Sequence, residues 1–410
     1  MNTVAIIGAG ASGMLCAYYA AQNGAKVILL DKNSRPGRKL MITGKGRCNL
    51  TNNCDDVRRF TENVPRNGRF LYSALNFLSP QQLMMLFESN GLKLKTERGN
   101  RVFPVSDKAV DVVDTLSKML SLQHVSLSKM NVTAVSVSNG AVNGVFADGR
   151  EIPADSVVIA TGGASYMRTG STGDGFKFAA TLGHHIIHPT ASLVPLETTD
   201  KSCSQLMGLS LKNVSISLYS NNDEKPVYTD FGEMLFTHFG LSGPIILSAS
   251  AFMSDEANYT VSIDLKPALT CDELSKRLLR DFSQNINKDL INSLDNLLPQ
   301  KLIATIVERS KIDPRKKCNV ITKEEREEIV NIIKYFKFTI KKKRPIEEAI
   351  ITSGGVDTNE INPKTMESKL IKGLYFAGEV IDVDALTGGF NLQIAFSTGA
   401  LAGMNAAQPK

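Results

Sequence analysis

Val4-Ala5-Ile6-Ile7-Gly8-Ala9-Gly10-Ala11-Ser12-Gly13 opens the chain. An apolar strand runs into a G-x-G-x-x-G turn that starts a helix, and the acid Asp31 follows at the tip of the next apolar run, Lys26 to Leu30. In that order each glycine has a task. Gly8 lets the chain turn sharply, Gly10 lets the backbone approach a pyrophosphate, and Gly13 lets the helix pack on the strand. With Ala11 and Ser12 the turn places an anion on the positive end of the helix, and Asp31, followed by Lys32, can accept hydrogen bonds from ribose hydroxyls. A second glycine turn, Gly373-Leu374-Tyr375-Phe376-Ala377-Gly378-Glu379, stands near the other end of the sequence. A plain nicotinamide-dinucleotide fold needs only the first turn, whereas a cofactor that spans the fold, as a flavin dinucleotide does, uses both.

The 410 residues exceed one ordinary core, so two or three domains are expected. Hydrophobic residues at 42% and charged residues at 21% are globular values. No signal-peptide pattern precedes the first strand, and no apolar run reaches the roughly 20 residues needed to span a bilayer, so the expectation is a cytoplasmic enzyme without a membrane partner. Six cysteines (Cys16, Cys48, Cys54, Cys203, Cys271, Cys318) are scattered without a C-x-x-C pair, which argues against a disulfide framework, zinc or an iron–sulfur cluster. His184, His185 and His188 stand close together without a carboxylate or cysteine, and no metal is expected. The net charge of +6 is modest and the basic residues read as spread out. With tryptophan absent, no stable nucleic-acid partner is expected. The run Lys341-Lys342-Lys343-Arg344-Pro345 reads as a solvated strand end.

Residues 3 to 31 read as strand, helix, strand. Helices are expected over Gly68 to Leu78, Pro80 to Asn90, and from a cap at Ser106 or Asp107 to about Leu120. Period-two alternation over Val132 to Val137, Val142 to Ala147 and Ile152 to Ala160, broken by Asn139-Gly140 and Asp148-Gly149, gives a meander that returns to the parallel sheet before Thr161-Gly162-Gly163. The fold class is therefore α/β: a Rossmann-like domain of the two-dinucleotide-binding-domain flavoprotein type. Its expected residues are 1–194 and 351–410, interrupted by a β-barrel-like insert at 195–269 and 336–350 and a helical subdomain at 270–335, where Thr270 with Glu273 and Thr322 with Glu325 form capping boxes.

Four further segments carry chemistry. Arg38, Lys39, Gly44, Gly46, Arg47, Cys48 and Asn49 lie in a loop after Asp31 whose cations and N–H groups suit an anion. Cys48 reads as a packed residue, with a thiol activated by its basic neighbours as the alternative. Gly170-Ser171-Thr172-Gly173-Asp174-Gly175 is either a capping turn or a ligand turn. The block holding Gly378, Glu379, Asp382, Gly388, Gly389, Asn391, Leu392 and Gln393 leads into a small-residue helix from Ile394 to Ala406, whose N-terminus can face the flavin edge that becomes negative on reduction. Val132 joins the cofactor candidates at the start of the meander. His238, within Leu235-Phe236-Thr237-His238-Phe239-Gly240, is either a substrate or flavin donor or a core histidine. Together with Arg47, Tyr166 and Glu379 it forms the candidate catalytic set.

These segments, with Arg101-Val102-Phe103-Pro104, Gly354-Gly355-Val356 and Asn362 to Ser368, resemble the YhiN/BaiN-like NAD(P)/FAD-dependent oxidoreductases, which include aminoacetone oxidase-like flavoproteins. The resemblance covers essentially the whole chain. It implies noncovalent FAD and an insert that covers the flavin face. Asp31 stands where Glu is usual, and Met167 and Ala385 where Pro and Gly are common. The expected activity is hydride transfer between flavin N5 and a small or hydrophobic substrate, with NAD(P)H as a transient donor reducing an activated C=C bond. Alternatives are an amine oxidase using oxygen and, in another class, a flavin-dependent tRNA-modifying or RNA-binding protein. The sequence leaves substrate, electron partner and oligomeric state open.

Overall fold

The computed structural model describes residues 1–410 other than Asn222, Asp255 and Lys410. Its centre is a five-stranded parallel sheet in the order Leu374–Phe376, Ser156–Ile159, Thr3–Ile7, Lys26–Asp31, Leu127–Lys129. Val157, Val158 and Ile159 are fully buried, as are Val4, Ala5 and Ile6, which is why these strands read as continuous apolar runs rather than as alternation. Ile7 pairs with both Leu30 and Ile159, and Ile159 with Phe376. The carboxyl ends of four strands therefore line up along one edge of the sheet, where ligands of open α/β folds bind.

The helices Ala11–Gln22 and Phe390–Ala406 lie against each other. A Cβ on Gly399 would overlap the carbonyl oxygen of Ser12, and one on Gly403 that of Cys16, so the absence of side chains one turn apart lets two backbones touch. Ser12 with Gly399 and Cys16 with Gly403 run in the same sense, so both N-termini point the same way. The final helix begins at Phe390, four residues before the expected Ile394, because Gly389 in a left-handed conformation starts it directly.

The meander is present as Val132–Ser138, Ala141–Ala147 and Arg150–Pro153. The expected helix over Gly68 to Leu78 is split into a 3-10 turn, Gly68–Leu71, and an α-helix, Tyr72–Phe77. The next helix, Pro80–Ser89, gains a capping box from Ser79 and Gln82 that the sequence reading did not single out. Neither Ser106 nor Asp107 caps the helix Ala109–Leu122; Asp107 is drawn away by Arg47 and Lys95.

By internal contacts the chain divides into Met1–Ser192 with Ile346–Lys410, and Leu193–Pro345. The second unit is built on a closed barrel of six strands, Leu196–Thr198, Gly240–Ser242, Tyr228–Phe236, Ser210–Ser220, Tyr259–Asp264 and Phe336–Lys343. Its helices Cys271–Gln284, Gln300–Ser310 and Lys323–Lys334 bury Leu278, Ile306 and Ile333 in the same core as Val261, Ile263 and Phe336. Both expected capping boxes are formed. Arg309 lies over the rings of Phe336 and Phe338 and bonds Asp200.

Candidate functional site

The site is built from the loops that leave the carboxyl edge of the parallel sheet. Gly8 takes φ +104° and a Cβ there would come within 2.5 Å of the Ala160 carbonyl oxygen, while a Cβ on Gly13 would overlap the Gly8 carbonyl. Gly10 differs. Its backbone is ordinary for any residue (φ −84°) and no atom lies within 4 Å of where a Cβ would stand. Nothing in the protein itself requires glycine at position 10, and the open space at the N-terminus of the first helix fits a pyrophosphate. Asp31 Oδ2 accepts from Ala9 N–H at 2.8 Å, and Oδ1 accepts from the Asn33 backbone and side chain at 2.7 and 2.9 Å. A carboxylate has about four acceptor sites, so capacity remains for a ribose hydroxyl. Met130 N–H bonds the Asp31 carbonyl, which brings the strand carrying Val132 to the same end.

Thr161, Gly162 and Gly163 follow the neighbouring strand and lead to Asp174, the first residue of the helix Asp174–Thr181. Lys32 Nζ reaches Asp174 Oδ2 at 2.8 Å and Thr172 Oγ at 2.5 Å. Burial works against charge on Asp174, yet the hydrogen bonds from Lys32 and Thr172 hold its carboxyl below the ordinary value.

Lys39, on the short helix Arg38–Ile42, donates to Glu379 Oε2 at 2.6 Å and to Ser165 Oγ at 2.7 Å. Glu379 Oε1 accepts from Ser165 and from Thr352 N–H. Both carboxylate oxygens of Glu379 are thus engaged in joining three distant segments. Arg38 bonds Asn33 instead. Arg47 is likewise committed: Nε and Nη2 donate to Asp107, Nη1 and Nη2 to Glu97, and the guanidinium lies 4.1 Å from the Phe103 ring centroid. Both candidate catalytic groups are thus held by protein partners.

Gly44, Lys45 and Gly46 all have positive φ, so successive N–H groups of this loop can turn toward one point. Cys48 is fully buried, and burial pushes its thiol up to about 12 against a hydrogen bond from Thr43; it is the packed residue, not an activated thiol. Asn49 Oδ1 is buried without a partner among the described residues, and a Cβ on Gly389 would stand 2.9 Å from it. That carbonyl oxygen beside the N-terminus of Phe390–Ala406 fits a donor of a bound ring such as the N3–H of a flavin.

Asn391 and Gln393 do not face outward. Asn391 clips Ala385 through both its amide groups, and Gln393 accepts from Thr51 and donates to Leu78 and Ser397. Leu392 is partly buried against the core. Asn52 bonds the Gly388 carbonyl at 3.0 Å and shapes the same turn; neither Thr51 nor Asn52 was among the expected site residues, although both adjoin the G-K-G-R-C-N run. Asp382 Oδ2 accepts from Asn67 while Oδ1 is buried without a partner among the described residues. Burial pushes its carboxyl up, against Arg66.

Tyr166 takes φ +53°, an uncommon conformation for a bulky residue, and is 36% exposed; partial burial pushes its phenol up. His238 lies in the other unit, exposed on the turn between Tyr228–Phe236 and Gly240–Ser242 and edge-on to Phe239 at 5.0 Å. His184 bonds Ser368 at 2.8 Å, and His185 lies 3.5 Å from Asp357.

From the register of their contact, the last helix starts eight residues further out than the first, about 12 Å at 1.5 Å per residue. Two anion-stabilising helix ends offset along one edge, each fed by a glycine turn, define an FAD-binding flavoprotein oxidoreductase. The chain belongs to the HI0933-like protein family, whose Rossmann-domain description matches residues 2–405. It is 31% identical over 416 residues, the full length of both chains, to a 3-dehydro-bile acid delta(4,6)-reductase of Clostridium scindens. It is 30% identical over 394 residues, 96% of this chain and 95% of the other, to a ribosomal RNA dihydrouridine synthase of Escherichia coli. Among solved structures it matches a 3-ketosteroid delta1-dehydrogenase of Sterolibacterium denitrificans with a TM-score of 0.53 at 13% identity, covering 99% and 100% of the two chains. It also matches a flavocytochrome c3 fumarate reductase at 0.50 and 18%, covering 99% and 78%. These two likenesses concern the fold. No helix among the described residues is long and apolar enough to cross a membrane.

Proposed function

We propose that the protein is an NAD(P)H-dependent reductase of a C=C bond conjugated to a carbonyl. The observation that supports this most is that its two named relatives, near 30% identical over nearly the full chain, share one reaction on unlike molecules: each name describes saturation of a C=C bond next to a carbonyl. Bound FAD supplies hydride transfer at N5. In the net reaction one hydride and one proton add across the double bond and NAD(P)H is oxidised to NAD(P)⁺. The chain's own part is to hold the dinucleotide by the Gly8–Gly13 turn and Asp31, to fix the ring end with Asn49 and the Gly388–Gly389 helix start, and to supply the proton. Tyr166 is our candidate for the proton: Arg47 and Glu379 are committed to ion pairs, whereas its hydroxyl has no partner among the described residues and a phenol is protonated at neutral pH.

The test is anaerobic mixing with NADPH or NADH, followed by an enone. Bleaching of the flavin by the nicotinamide and recovery by the enone is the expected result. Bleaching by amines, with recovery by oxygen and peroxide release, would replace this reading by an oxidase. Tyr166→Phe should slow recovery by the enone and leave bleaching by the nicotinamide near wild type.

A further inference from the structure

Two buried acids, Asp382 and Asp384, lie on the segment that joins the second glycine turn to the last helix, against a single arginine. Asp384, 1% exposed, is well supplied with donors: Oδ2 accepts from Ser192 at 2.7 Å, and Oδ1 from Ser353 at 3.0 Å and Arg66 Nη2 at 3.1 Å. Asp382, 8% exposed, is not. Its Oδ2 accepts from Asn67 at 2.9 Å, and its Oδ1 has no partner among the described residues. A carboxylate oxygen buried without a donor is costly while it is charged and much less so once it carries a proton.

The segment is fastened to the start of the last helix. Asn391, the second residue of that helix, donates to the Ala385 carbonyl at 2.6 Å and accepts from the Ala385 N–H at 2.9 Å. Asp384 adjoins Ala385, and three Cα steps of about 3.8 Å keep Asp382 within about 11 Å of it. On the other side Asn63 accepts from Leu386 N–H, and Asn67 donates to the Asp382 carbonyl. The charged groups acting on Asp382 are Arg66, Asp384 and Asp357, which follows the strand Ile351–Val356 and lies 3.5 Å from His185. Burial pushes the Asp382 carboxyl up most; Arg66 and Asn67 oppose this, and Asp384 and Asp357 add to it.

We propose that Asp382 takes up one proton from solvent when the bound flavin is reduced and releases it on reoxidation. The ring edge that faces the helix start becomes negative on reduction. At about 10 Å and an effective dielectric of about 20, one added negative charge raises the proton affinity of a carboxyl about tenfold. The balance is two electrons and one proton into the ring, and a second proton, from water, forming an O–H bond at Asp382 Oδ1. Arg66 bonds Asp384 and not Asp382, so the charge of Asp382 is left to the proton. The inference rests on the placement of the ring end by Asn49 and the Gly388–Gly389 turn. The C=C reading adds a use for it: NAD(P)H supplies the ring with hydride, and Asp382 holds the proton that the net reaction also consumes.

The test uses FAD-loaded protein and redox mediators, with neither nicotinamide nor enone, so its failure leaves the reductase reading intact and a failed reductase assay leaves it interpretable. Flavin potentials of wild type and Asp382→Asn are measured from about pH 5 to 9, where a raised carboxyl titrates. At the acid end, with Asp382 protonated in both redox states, the two should agree. At the alkaline end the wild-type potential should lie lower by about 30 mV, a tenfold change in a two-electron equilibrium. Arg66→Gln should move this step to higher pH, because losing the cation favours the proton. A displacement equal at every pH, as a merely structural role would give, no displacement, or a step unmoved in Arg66→Gln would overturn the proposal. A second readout needs no variant. The reduced-minus-oxidised infrared spectrum of wild type, recorded over the same range, should gain a protonated-carboxyl band that shifts in heavy water and lose a carboxylate band. Absence of that pair at every pH would overturn the proposal even if the variants misfold.

Discussion

Gly10→Ala separates the demands of the fold from those of the ligand. At this position the backbone suits any residue and a methyl group meets no protein atom. Replacing glycine by alanine at a compatible position stabilises by about 0.4–1 kcal/mol through the unfolded chain, which offsets the poorer N-cap preference of alanine at this N-cap position, so the apoprotein should be nearly unchanged. The methyl group projects into the space that fits the pyrophosphate. Displacing the phosphate from one charge-assisted N–H bond removes about 1.5–3 kcal/mol, a loss of about 10- to 150-fold in FAD affinity at 1.36 kcal/mol per factor of ten. The assay is FAD titration of the apoprotein by flavin fluorescence, with the urea midpoint of the apoprotein measured in parallel. Gly13→Ala is the contrast, because its Cβ would overlap the Gly8 carbonyl and both readouts should fail. FAD affinity within twofold of wild type in Gly10→Ala would refute the placement of the dinucleotide. A fall in apoprotein stability of more than about 1 kcal/mol would refute the claim that the space is free.

Gly399→Ala should lower the melting temperature of the dinucleotide-binding unit by about 2–6 °C: overpacking against a backbone costs about 1–3 kcal/mol, helix propensity returns part of it, and each kcal/mol is worth about 2–4 °C at this size. An unchanged melting temperature would show that the helices are not in contact there. Burial holds His184 below its ordinary value, against Glu360, so the unfolded chain takes up the proton first. Stability should be full above about pH 6.5 and decline below it, and His184→Gln should flatten that decline in urea midpoints measured across the range. A thiol reagent at mild alkaline pH should label exposed Cys271 in the native protein and reach Cys48 only on unfolding; early labelling of Cys48 in peptide maps would contradict its burial.

Much of the fold was legible because it is written locally. The glycine turn, the dipeptides Asn139-Gly140 and Asp148-Gly149, and the boxes at Thr270 and Thr322 act within a few residues and need no tertiary partner. The failures lie where a distant group intervenes. Asp107 has the chemistry of a cap but is held by Arg47, 60 residues away in sequence. Glu379 and Arg47 read as free polar groups in the sequence, whereas Lys39, Glu97 and Asp107 pair with them. The side chains of Asn391 and Gln393 are engaged within the protein, and Gln393 meets Thr51 across 342 residues.

The paired helices Ala11–Gln22 and Phe390–Ala406 also impose an order of events on synthesis. At about 5–20 residues per second, the first helix waits roughly 20–75 s before its glycine-bearing partner has been made. Until then its buried face and the dinucleotide turn have no permanent cover. Leu193–Pro345 is by contrast an uninterrupted stretch of chain, able to complete its barrel while the N-terminal segment is still waiting. Truncating the final helix would therefore do more than remove a surface element: it would leave the earliest-made part of the protein as its most persistent aggregation hazard.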